Sequence, residues 1–83
     1  MWVIVKPSAE KQLNRIPSKV AEKITEVIVK LQENPFPTNS KKLQAETDIY
    51  RIRVGDYRIV YEIEKITQQI VVAKIKHRKD VYR

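Results

Sequence analysis

The sequence predicts an α+β fold: an N-terminal strand, a helical hairpin, then a three-stranded antiparallel meander. Both helices are expected on one face of one small sheet. Three observations lead there. The chain opens on a short β-branched run, "WVIV" at residues 2–5. Apolar residues then recur at helical spacing on either side of Pro17. From residue 49 onward, apolar and polar residues alternate around the chain's only glycine.

Each element has a local reason. "WVIV" is stiff and apolar, which suits an extended strand. Pro7 and Ser8 suit the entry to a helix, because proline presets φ where an N–H has no partner anyway. Ala9, Leu13 and Ile16 then share one face. Pro17 breaks that helix, and Ser18 is placed to cap the next. Val20, Ile24, Val27, Ile28 and Leu31 form an apolar stripe along a second helix of about four turns. Its other side mixes Lys19, Glu22, Lys23, Glu26, Lys30 and Glu33, with Glu26 and Lys30 four apart, and reads as solvated. Asn34-Pro35 ends it. Residues 35–48 are expected as a loop, with Leu43 as its core anchor. Strands are expected at 49–54, 57–64 and 69–76, joined by Gly55-Asp56 and by Lys65 to Gln68. Glycine first in a two-residue turn favours type II′.

Eighty-three residues support one core, so a single domain spanning 1–83 is expected. There is no cysteine and one histidine, which excludes disulfides and any credible zinc cluster. One glycine excludes a glycine-rich phosphate loop, and no serine sits in a nucleophile elbow. No cofactor is implied. The opening lacks the basic stretch of a signal peptide, and no apolar run nears the roughly 20 residues of a membrane span. The cytoplasm is the expected compartment, with no membrane partner. The formal net charge is +7. Residues 49–83 carry nine Lys/Arg against four Asp/Glu, so most of the excess lies there. Such a surface suits a polyanion or an acidic protein.

The register of the first hairpin follows from its turn. With Gly55 and Asp56 at the bend, Arg53 lies opposite Arg58, Ile52 opposite Ile59 and Arg51 opposite Val60. Alternation then sends Ile52, Val54, Tyr57, Ile59 and Tyr61 to the core, and Arg51, Arg53 and Arg58 to the other face. Directly opposed like charges destabilise a sheet. Taken singly, each arginine fits the wet face of a two-sided sheet, with Glu62 as a diagonal partner. Taken together, the three fit an anion site, since guanidinium forks match phosphate oxygens two at a time. The tail "HRKDVYR" brings His77, Arg78, Lys79, Tyr82 and Arg83 to the same end. His77 reads as an acid/base candidate or as a solubilising strand end. Tyr82 reads as a stacking ring or as an aromatic tucked against the sheet.

The segments "SAEKQLNRIPSKVAEKI", "LQENPF", "KKL", "YRIRVGDYRIVYEI" and "HRKDVYR", in this order, cover nearly the whole chain. They resemble the RelE/ParE superfamily of bacterial and archaeal toxins, and most closely its RelE branch of ribosome-dependent mRNA endoribonucleases. The resemblance implies a cognate antitoxin that wraps the toxin and covers its basic surface. It implies ribosome and mRNA as further partners, and operator DNA only through the antitoxin. Carried onto this sequence, it makes Arg58 the contact to the scissile phosphate. Arg78 becomes a second phosphate arginine that supplies the leaving-group proton, and Tyr82 orients the nucleotide near the attacking 2′-hydroxyl. Arg51 and Arg53 occupy basic positions that the RelE branch often fills with lysine. Lys74, Lys76, Lys79 and Arg83 join them as RNA-binding candidates. Arg53 departs from the pattern where a lysine would serve as general base, because a guanidinium with a pKa above about 12 accepts no proton. His77, Tyr82 and Glu62 are then the candidate bases, unless catalysis rests on positioning and charge alone. The alternatives are a ParE-like inhibitor of DNA gyrase or a non-catalytic member that binds antitoxin and nucleic acid. ParE-like members tend to lack the complete arginine–tyrosine set.

Overall fold

A computed structural model describes residues 1–81. In chain order the elements are β1 (Trp2–Val5), α1 (Pro7–Asn14), α2 (Ser18–Leu31), β2 (Ser40–Lys42), β3 (Ile49–Val54), β4 (Tyr57–Glu64), β5 (Gln69–His77) and α3 (Arg78–Val81). The strands form one sheet in the order β1-β5-β4-β3-β2. The meander β3-β4-β5 falls where the alternation puts it, with β5 one residue longer than expected. The hairpin register is also the expected one, with Val54 opposite Tyr57 and Arg53 opposite Arg58. Gly55 has φ +58°, whereas Asp56 stays at negative φ, the sign pattern of a type II′ turn.

The sheet is larger than the expected meander plus one strand. Residues 40–42 of the presumed loop pair antiparallel with β3, and β1 runs parallel to β5 from Trp2–Gln69 to Val5–Val72. Leu43 is not a core anchor. It is 45% exposed and lies on the face away from the helices, because Ser40 and Lys42 take the core-side positions opposite Ile52 and Tyr50. Ser18 caps nothing either. Pro17 occupies the N-cap, and Ser18 is already the first helical residue.

The helices cover one face, as expected. Ala9 from α1 and Ile24, Ile28 and Leu31 from α2 meet Ile52, Ile59, Tyr61, Ile63, Ile70, Val72 and Ile75 from the sheet. Tyr61 is the one buried side chain in this cluster with a polar tip. Its hydroxyl donates to the Pro35 carbonyl at 2.9 Å, which ties the loop after α2 to the sheet. Its ring stacks on Tyr50, which in turn meets the edge of Phe36.

Burial raises the Tyr61 pKa above the ordinary phenol value of 10.0, and neighbouring Tyr50 adds to the rise while Ser40 works against it. A raised phenol means that the folded state holds its proton longer than the unfolded chain. This contribution to stability is therefore complete below pH 10 and lost as pH climbs through the folded value. Tyr61→Phe should cost about 1 kcal/mol at neutral pH by deleting the hydrogen bond. Above pH 10 its stability should fall less steeply than that of the wild type, as denaturant midpoints at graded pH will show.

One irregularity interrupts the pairing of the two longest strands. Between the pairs Val60–Lys74 and Tyr61–Val72, β5 carries one residue more than β4, so Ala73 is bulged. The bulge absorbs a break in alternation. Ile70, Val72 and Ile75 all reach the core, although 72 and 75 are three apart, and Lys74 and Lys76 stay on the opposite face.

Candidate anion-binding face

The face of the sheet away from the helices is organised in rungs. One rung runs across the strands through Arg53 on β3, Arg58 on β4 and Lys76 on β5. Two residues further along lies a second rung of Lys41 on β2, Arg51 on β3, Val60 on β4 and Lys74 on β5. A third consists of Ile49, Glu62 and Val71. Positive charge therefore fills two rungs and stops at Glu62. Neighbouring rungs are about 6.6–6.8 Å apart, the two-residue stride of a strand.

Two depressions lined by arginines open on this face. A small one of about 40 Å³ lies at the hairpin end, lined by Arg53, Gly55, Asp56, Tyr57, Arg58 and Arg78. Arg78 reaches it because its backbone N–H donates to the Asp56 carbonyl at 2.6 Å, which carries the β4–β5 ladder one step past Tyr57–His77. The larger cleft, about 470 Å³, includes Arg51, Arg58, Lys74 and Lys76 over an apolar floor of Leu43, Ile49, Val60 and Ala73. Arg58 is half-buried and belongs to both. The expected trio is thus on one face but divided: Arg53 joins Arg58 and Arg78, while Arg51 joins Arg58 and the lysines.

Carboxylates are few here. Asp56 lines the small recess, and Glu62 and Asp80 line the cleft. Among the described residues none of them forms an ion pair with Arg53, Arg58 or Arg78; Lys65 and Asp48, 3.8 Å apart, form a pair elsewhere. Like charges therefore face each other across Arg53–Arg58 and Arg58–Lys76, which an isolated sheet gains nothing from. Arg53→Thr is expected to stabilise the chain by about 0.2–1 kcal/mol while weakening anion binding. Thermal melts with and without a polyanion will read both effects.

The remaining candidates are not gathered at the small recess. His77 pairs with Tyr57 on the helix side of the sheet, its ring edge-on to the tyrosine at 5.0 Å. Its Nδ1 accepts the Lys79 backbone N–H at 3.1 Å, so it is not brought into either depression. Glu62 reaches the cleft but not the small recess, and Lys79 lines neither. Tyr82 and Arg83 fall outside the described residues. Lys41 is a rung member that the sequence alone did not single out. Its signal was the "KK" of "KKL", which becomes meaningful only once residues 40–42 are known to be a strand.

An open sheet face with two rungs of cations, backed by a helical hairpin, defines a small basic domain suited to holding an anionic chain. Comparison with known proteins gives that class a family. The family model for the ParE toxin of type II toxin–antitoxin systems matches residues 3–82. Toxin RelE3 of Methanocaldococcus jannaschii is 31% identical over 99% of this chain and 96% of its own. The archaeal RelE–RelB complex from Pyrococcus horikoshii superposes with a TM-score of 0.84 at 28% identity, covering 93% of both chains. The RelB–RelE antitoxin–toxin complex from Methanococcus jannaschii gives 0.78 at 28% identity, over 95% of this chain and 94% of the other. The chain belongs to the RelE/ParE superfamily and is a RelE-like toxin of a type II toxin–antitoxin system.

Proposed function

We propose that this toxin is an mRNA endoribonuclease that acts in the ribosomal A site and is neutralised by a cognate antitoxin. The observation that carries the reading is the convergence of Arg53, Arg58 and Arg78 on one recess at the hairpin turn. Three guanidinium groups around about 40 Å³ suit a single phosphate. In this reading the substrate's 2′-hydroxyl loses its proton as its oxygen bonds to phosphorus. The P–O5′ bond breaks, and the 5′-oxygen takes up a proton. Arg53 and Arg58 neutralise the charge that builds on the phosphorus oxygens, where preorganised donors contribute most. Arg78 assists the departing 5′-oxygen, and Tyr82 orients the nucleotide. The open, shallow face leaves much of the positioning of the strand to the ribosome. Relatives solved as toxin–antitoxin complexes support an antitoxin partner, and the basic face calls for an acidic one.

The matching family model bears the ParE name, which favours a second reading: inhibition of DNA gyrase without chemistry on RNA. Mapping RNA ends in a translating extract separates the two. Cuts within codons on ribosome-bound mRNA are the expected result. Intact mRNA together with gyrase-dependent DNA breaks would replace the endoribonuclease with the inhibitor.

A further inference from the structure

We infer that the toxin grips two successive phosphates, and that Lys41 and Lys74 hold the one next to the scissile linkage. The inference rests on the endoribonuclease reading and deepens it. If the Arg53–Arg58–Lys76 rung and Arg78 hold the scissile phosphate, the Lys41–Arg51–Lys74 rung lies one strand stride away along β4 and β5. That stride, about 6.6–6.8 Å, is of the order of the gap between neighbouring phosphates on an extended single strand. The RNA backbone would then run along the β-strands rather than across them.

Three further features agree. The bulge at Ala73 lets β5 contribute a cation to each rung, because Lys74 and Lys76 both stay outward although the core phase slips. Val60 lies between the second rung's cations, and the cleft floor continues one stride beyond it through Ile49 and Leu43, an apolar surface that suits the flat face of a base better than a third phosphate. The third rung presents Glu62, which repels one. Among the described residues Asp80, at the cleft rim beside Lys74 and Lys76, forms no ion pair with either. The grip is therefore two phosphates long, with Lys41 and Lys74 acting as positioning residues.

The test is single-turnover cleavage on programmed ribosomes, with the full-length toxin varied in concentration. Two mRNAs carry a neutral methylphosphonate at the linkage on one or the other side of the scissile one. For wild-type toxin, one of these substitutions should raise the half-saturating concentration about tenfold, the sum of two exposed charge contacts. Lys41→Gln/Lys74→Gln should raise it about as much on unmodified mRNA and leave the maximal rate unchanged. The double variant should be blind to the methylphosphonate. Lys19→Gln/Lys23→Gln, on the exposed side of α2, should behave as wild type. Wild-type half-saturation in the Lys41/Lys74 variant would overturn the inference. So would a penalty that adds to that of the methylphosphonate, because the lysines would then contact some other phosphate. Wild-type toxin that cuts no ribosome-bound mRNA overturns the endoribonuclease reading itself, and this inference with it.

Discussion

Arg58→Ala is expected to lower ribosome-bound mRNA cleavage by about 10²–10³-fold, the usual loss when one preorganised donor to a developing oxyanion is removed. Arg58 warrants the largest effect because it alone among the described arginines borders both depressions. It also stands between Arg53 and Lys76 in the first rung, at the centre of the positive charge. Stability should not suffer, since the substitution removes a like charge from two opposed pairs. The maximal rate should fall far more than half-saturation changes, for the contact strengthens as charge moves onto the phosphate. Arg78→Ala should lower the rate as well. Growth arrest and RNA cleavage at wild-type levels in the Arg58 variant, expressed without antitoxin, would remove the recess from consideration.

The adjacent residue should give the opposite phenotype. Ile59 has no exposed surface and sits on the core side of β4, opposite Ile52 on β3 and Ile75 on β5. Ile59→Ala should cost about 2–5 kcal/mol, from lost burial and the cavity left behind. A chain of this size has only about 4–12 kcal/mol in all. The variant should melt at a markedly lower temperature, and any residual folded fraction should still bind polyanions. Residues 58 and 59 thus stand on opposite faces of β4: Ile59 in the core, and Arg58 on the face proposed to hold the ligand. Circular dichroism melts alongside cleavage assays will show whether the two effects separate.

Much of this architecture was legible in the residues. Gly55 made the hairpin register calculable, because a two-residue turn leaves one pairing for everything after it. The stripe from Val20 to Leu31 and the break at Pro17 located the helical hairpin through strictly local physics. What escaped notice was set by partners distant in sequence. "SKK" has no apolar alternation, and it becomes a strand only because β3 offers it an edge. The parallel pairing of β1 with β5 joins residues more than sixty positions apart, which no local pattern encodes. The bulge did leave a trace, in apolar residues at 70, 72 and 75 rather than at even steps, but only the structure shows which strand absorbs the extra residue. Leu43 misled because an apolar residue in a polar loop suggests a core anchor. Here it lines the cleft instead.

The parallel contact between β1 and β5 bears on how such a protein is made. β5 lies between β1 and β4, so the sheet has a gap in its interior until residues 69–77 have been synthesised and have emerged from the exit tunnel. Closing a loop that long is among the slower steps open to a small chain. Arg78 comes directly behind that last strand. A half-translated copy therefore carries neither the finished sheet nor Arg78, so scaffold and guanidinium cluster are completed by the same late segment.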